Sequence, residues 1–181
     1  MRRLMLLRHA KTETEASSGR DQDRRLDDRG LRDAAEIGGW IGRHPPFPDC
    51  VFVSPAVRAQ QTWDIAWAAM KGLGPTPKVE FVPELYGGGA RELLASVRNA
   101  SATDPKRLML VGHNPGMHDL ALALAGRGDA SGRKALSSNL PTAGLAVFDF
   151  ATKDWDDVAF GRGRLVLFVS PKLLKQTSNE N

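Results

Sequence analysis

The chain has 181 residues, 41% hydrophobic and 25% charged, with 25 basic against 21 acidic residues and a net charge of +4. That length and balance describe one soluble globular domain with material for a substantial core. The modest charge suits an anionic substrate, but basic residues this scattered exclude a nucleic-acid footprint.

A single cysteine, Cys50, excludes an internal disulfide and any multi-thiolate metal site. It lies beside Val51-Phe52-Val53 and reads as a small buried residue. The apolar run after Arg2 and Arg3 is too short for a signal peptide, and no segment has the length to span a bilayer. The expected location is a reducing cytoplasm, with no membrane partner.

Leu4-Met5-Leu6-Leu7 reads as a strand buried on both faces, and it stops abruptly on Arg8, His9 and Ala10. The carboxyl ends of strands in open α/β sheets are where ligands bind, and a guanidinium beside an imidazole there suits phosphate. Taken alone, Arg8 reads as a surface charge and His9 as a satisfied loop histidine. The polar stretch from Lys11 to Leu26 is long for a loop in a compact domain and is expected to border the pocket, or to be a solvated charge run.

A helix is predicted from about Asp28 to Gly30 onward, with Leu31, Ala34, Ala35, Gly38 and Ile41 on one face. Pro45, Pro46 and Pro48 end it. Val51-Phe52-Val53 is a second short strand. The next helix is predicted to be capped by Ser54, with Pro55 in its first turn and Ala59, Thr62, Ala66 and Ala69 as its buried stripe. Arg58 then falls in a first turn, where unpaired N–H groups attract anions; the plainer alternative is a solvent-facing arginine.

Val79, Phe81 and Val82 suggest a third strand. Glu84 follows its end and could protonate a leaving group, cap the next element or pair with an arginine. Gly87-Gly88-Gly89 lacks a Walker lysine and reads as a turn before a helix ending near Asn99. Arg107-Leu108-Met109-Leu110-Val111 is a fourth strand, and His113 sits in the turn before the next helix. His118, five residues on, is out of helical register with His113 for a zinc pair and reads as structural. His44 reads as a surface loop residue. Arg127 to Leu140 is predicted as a Gly- and Ser-rich connection, and 151–164 as a turn-rich link. Leu145 to Phe150 and Leu165 to Val169 are predicted as the last, antiparallel strands, with a frayed tail after Leu174.

This order predicts an α/β fold: a three-layer α/β/α sandwich with a mainly parallel central sheet and one antiparallel edge region. The expected organisation is a single domain over 1–174 with a polar tail over 175–181. Arg8, His9, Arg58, Glu84 and His113 would all lie at the carboxyl ends of strands, which makes a phosphate site. No carboxylate cluster is spaced for magnesium, no thiolate is placed as nucleophile, and no Gly-x-Ser-x-Gly elbow occurs. A neutral imidazole can itself attack phosphorus, and neighbouring arginines disfavour its protonation.

Leu7-Arg8-His9-Ala10-Lys11, Ser54 to Thr62, Pro83-Glu84-Leu85-Tyr86 and Val111 to Pro115 together resemble the histidine phosphatase superfamily, which includes the phosphoglycerate mutases. Asp23 to Gly30, Pro141-Thr142-Ala143-Gly144 and Phe168 to Lys172 are similar to the SixA-type phosphohistidine phosphatase branch. The resemblance runs from the N-terminus to about Leu174. It implies a phosphoglycerate mutase-like fold, His9 as nucleophile, and Arg8, Arg58 and His113 as phosphate ligands, with no cofactor or metal. Ala10 replaces the family's usual glycine. Glu15 stands where mutase-like members carry an asparagine, so it should point away from phosphate.

The resemblance implies a cofactor-independent phosphatase acting through a phosphohistidine on His9, with phosphohistidine in a partner protein as substrate. A second reading is a phosphatase for small phosphate esters or other phosphoproteins, with Glu84 as acid. A third is a phosphate- or phosphoprotein-binding module without turnover. Specificity should come from the Lys11–Leu26 loop and the Arg127–Leu140 segment.

Overall fold

The structure is a computed structural model that describes residues 1–44 and 46–179. The predicted proline turn is therefore seen only at Pro46 and Pro48, and Pro45 and the last two residues of the tail lie outside the described residues. Seven strands form one sheet in the order β3-β2-β4-β1-β6-β7-β5. They are β1 (Arg2–Arg8), β2 (Cys50–Val53), β3 (Lys78–Phe81), β4 (Arg107–Gly112), β5 (Ala125–Gly128), β6 (Leu145–Phe150) and β7 (Gly163–Val169).

β3, β2, β4 and β1 are mutually parallel, β6 runs antiparallel between β1 and β7, and β5 pairs parallel with β7. One edge of the sheet therefore collects the carboxyl ends of β1 to β4 together with the start of β6.

Central β1 is covered on both faces, which is why its sequence is an unbroken apolar run. Leu4 and Leu6 pack into one buried cluster with Leu93 and Val97 of α4 (Ala90–Asn99) and Leu120 and Leu124 of α5 (Gly116–Leu124). Met5 and Leu7 enter the opposite cluster with Ile37 and Ile41 of α1 (Asp28–Arg43) and Trp63 and Ala66 of α2 (Val57–Met70). Helices on both faces complete the three-layer α/β/α arrangement.

Several boundaries differ from the sequence reading. In α1 the buried face is Gly30, Asp33, Ala34, Ile37, Gly38 and Ile41, while Leu31 and Ala35 are exposed. Close backbone approaches fix that phase. A Cβ on Gly30 would lie 1.9 Å from the Lys11 carbonyl oxygen, and one on Gly38 2.4 Å from that of Ala66. α2 starts at Val57, after Pro55, although Ser54 Oγ does accept from the Ala56 N–H at 3.2 Å.

The short α3 (Glu84–Gly87) follows β3. The supposed connection over 127–140 instead ends β5 and forms α6 (Ala130–Ser138), capped by Asp129, whose carboxylate accepts from the Gly132 N–H at 2.7 Å. The tail is not frayed at its start: α7 (Pro171–Ser178) holds residues 175–178 in a helix, and Lys175 reaches Asp33 and Glu36 of α1.

Candidate active site

β1 delivers Arg8 and His9 to the collecting edge, and the backbone there is pinned from three sides. The His9 N–H donates to Gly112 O at 3.0 Å, and Ala143 N–H donates to His9 O at 3.1 Å. The Ala10 N–H donates to Thr62 Oγ1 at 3.0 Å, and that hydroxyl donates back to Arg58 O at 2.7 Å. Thr62 thus couples the His9 turn to the first turn of α2, where Arg58 is buried. Ala143 adopts the left-handed conformation, with φ +55°, to present its N–H to His9. Such strain in a non-glycine residue persists where the surroundings over-determine it, as here between β1 and β6.

Arg8, His9, Arg58 and His113 line one cavity of about 460 Å³, together with Lys11, Thr12, Arg24, Arg29, Asn114 and Thr142. The rings of His9 and His113 lie 5.1 Å apart. Four of the five expected site residues therefore converge. Glu84 does not join them. It opens α3 with its side chain exposed, and no hydrogen bond ties it to the four.

Both histidines are neutral near pH 7. Burial, reinforced by Arg58, Arg8 and Arg24, pushes His9 down to about 4. Burial, with the Arg58 charge and the penalty for protonating two adjacent imidazoles, pushes His113 down to about 3. His9 Nδ1 lies 2.7 Å from the Ala10 carbonyl oxygen. A carbonyl only accepts, so Nδ1 carries the proton and Nε2 keeps its lone pair. His113 Nε2 is 2.7 Å from Ser54 Oγ, while its Nδ1 is buried without a partner.

Three further residues reach the site, and the sequence pattern assigns a role to none of them: Asp21, Arg24 and Tyr86. Arg58 donates from Nη1 to Asp21 O at 2.8 Å and from Nη2 to Asp21 Oδ2 at 2.9 Å. Arg24 Nη1 donates to Asp21 Oδ1 at 2.9 Å, and the Tyr86 hydroxyl donates to Oδ2 at 2.7 Å. Together these bonds hold the Asp21 carboxyl far below the usual range, Tyr86 contributing most. Tyr86 also sets its ring edge-on to His113, with centroids 5.6 Å apart.

Outside the site, His118 Nε2 bonds Leu136 O at 2.7 Å, tying α5 to α6, and His44 stacks on Trp40 at the end of α1. Cys50 is buried, and burial raises its thiol to about 11. Glu15 is exposed. No helix among the described residues is long and apolar enough to cross a membrane.

A family model for the histidine phosphatase superfamily, branch 1, matches residues 4–86. The crystal structure of a candidate phosphohistidine phosphatase SixA from Agrobacterium tumefaciens is 31% identical, with 94% of this chain and 99% of that one covered at a TM-score of 0.76. The chain belongs to the histidine phosphatase superfamily, in its SixA-type branch. A second histidine phosphatase structure, a candidate SixA from Nakamurella multipartitia, is 30% identical over 94% of this chain and 96% of that one, with a TM-score of 0.79. An uncharacterized protein of Mycobacterium tuberculosis is 33% identical over 168 residues, 92% of this chain and 100% of its own length. His113 lies beyond the segment matched by the family model, and the two structures, which extend over nearly the whole chain, carry the histidine phosphatase likeness past it.

Proposed function

We propose that this histidine phosphatase uses His9 as its nucleophile and acts on phosphohistidine in a partner protein. One observation carries the reading: a neutral His9 with a free Nε2 faces His113 in a cavity lined by Arg8, Arg24 and Arg58. Nε2 attacks phosphorus, the bond from phosphorus to the substrate nitrogen breaks, and that nitrogen leaves with the electron pair. Water then attacks the phosphorus on His9, inorganic phosphate departs, and neutral His9 returns.

Arg8 and Arg58 hold the equatorial oxygens and stabilise the charge they carry in the transition state. Ser54 already accepts from Ala56 N–H, so its hydroxyl proton is available to His113 Nε2. The proton of His113 then sits on Nδ1, which has no protein partner, as a donor for phosphate. No step requires a cofactor.

The placement of the acids favours phosphohistidine over an ester. An imidazole whose distal nitrogen carries a proton leaves as neutral imidazole and needs little acid assistance. Glu84 is exposed and unconnected to the cavity's bonds, and Asp21 is held ionised.

The test compares hydrolysis of a phosphohistidine-bearing protein with that of an aryl phosphate, in EDTA. The expected result is preferential phosphohistidine turnover, with Glu84→Gln changing neither rate by more than about twofold. Ester turnover that matches the phosphohistidine rate and collapses in Glu84→Gln would transfer the assignment to an ester phosphatase. Binding without turnover of either substrate would leave a phosphate-binding module.

A further inference from the structure

Arg58 is one of the most completely enclosed cations of the protein, its side chain 8% exposed, yet its guanidinium is already engaged. Nη1 and Nη2 donate side by side to the backbone oxygen and a carboxylate oxygen of one residue, Asp21. That two-point pattern is the one a guanidinium makes with two oxygens of a phosphate. The other Asp21 oxygen takes a bond from Arg24, and Tyr86 adds a third donor to the carboxylate.

We propose that Asp21 is an internal anion that occupies the phosphate arginine when the site is empty, and that substrate phosphate displaces it. The inference rests on the assignment of Arg58 as a phosphate ligand. It adds a residue that competes with substrate and sets the affinity for phosphate.

The surroundings fit a contact that opens. Asp21 heads a three-residue 3-10 turn at the outer part of the Lys11–Leu26 loop, and its side chain is 53% exposed. Among the described residues, the hydrogen bonds from the loop tip to the rest of the protein are those of Asp21 to Arg58 and Tyr86. The base is fastened independently: Thr12 bridges Leu26, Glu13 N–H bonds Arg25 O, Arg24 Nε donates to Glu13 O, and Leu26 N–H bonds Gln61 Oε1. The tip can swing outward with that base intact.

The same carboxylate holds Tyr86, whose ring edge lies against His113. His113 Nδ1 beside it is buried without a hydrogen-bond partner. Displacing Asp21 releases Tyr86, and an oxygen of the incoming phosphate can satisfy that nitrogen. An internal anion also offsets the mutual repulsion of the crowded arginines when no phosphate is present, and its return speeds product release.

Inorganic phosphate binding, measured by calorimetry on the full chain, tests this. Removing the competitor in Asp21→Ala should tighten binding about two- to fivefold, the range expected for a half-exposed ion pair. Tyr86→Phe, which removes one bond to the carboxylate, should move affinity the same way by less. A carboxylate that merely braces Arg58 predicts the opposite sign, because a loosened guanidinium binds more weakly. Unchanged or weaker binding in both variants overturns the inference, and if Asp21→Ala fails to fold, Tyr86→Phe decides. Arg58→Ala separates the two levels: undiminished phosphate binding there overturns the assignment of Arg58 as phosphate ligand rather than the role of Asp21.

Discussion

At the scale of single residues, the chemistry depends on keeping two imidazoles neutral inside a ring of cations. Burial does most of this and the arginines do the rest, so protonation of His9 is displaced from about 6.5 to about 4. The consequence has a definite sign. A depressed value means the lone pair survives acidification, so nucleophilic attack should persist through pH 5 and fail only toward pH 4. Single-turnover phosphoryl transfer to the enzyme, followed from pH 7 to 4, measures it. A loss centred near 6.5 would mean that His9 is solvated and not held as described.

Arg8, His9, Arg58 and His113 were readable in the sequence because each stands at a break in pattern, where an apolar run or a helical stripe starts or stops. Asp21 and Tyr86 were not. Their places are set by bonds to Arg58 and to each other across 37 and 65 positions of chain, and no local periodicity encodes such bonds. Glu84 shares the strand-end signal, yet α3 turns its side chain outward and brings Tyr86 inward instead. A strand end marks a neighbourhood, not a direction.

At the scale of elements, legibility follows burial. β1, β2 and β4 are apolar because both their faces are covered, and α4 shows a clear amphipathic stripe. β5 reads Ala-Gly-Arg-Gly and has no strand signal of its own. It exists because the free edge of β7 offers hydrogen-bond partners, with a glycine at position 126 whose Cβ would otherwise strike Gly161 O at 1.9 Å. α6 buries only Leu136, too little for a periodic signal, although its Asp129 cap is visible in retrospect.

α1 was placed correctly along the chain but rotated, because the small residues Gly30 and Gly38 set its phase, not its larger apolar ones. That close crossing gives a prediction. Gly38→Ala forces a methyl into the Ala66 backbone and should cost about 1–3 kcal/mol, read as a lowered urea midpoint with an unchanged slope. A midpoint equal to wild type would show that α1 and α2 do not approach as described. The crossing matters for function as well, since α2 carries both Arg58 and Thr62.

At the scale of the whole molecule, the topology gathers residues from positions 8 to 113 into one site. Four parallel strands end along a single edge and β6 begins there; the segments after β1, β2 and β4 deliver the arginines and imidazoles, and the one after β3 brings Tyr86 against His113. Helices cover both faces of the sheet behind that edge, and the Lys11–Leu26 loop borders the site in front of it. The family likeness extends over the same frame, with the SixA-type structures covering 94% of the chain.

The most direct test of the central claim is to trap the phosphoenzyme. The protein is mixed with a labelled phosphohistidine protein, quenched within the first turnover and digested. The account predicts an acid-labile, alkali-stable label on the peptide containing His9, bound through Nε2 and absent from His9→Ala, with turnover in that variant reduced about 10³-fold or more. A label on another residue, or turnover in His9→Ala near the wild-type rate, would contradict it.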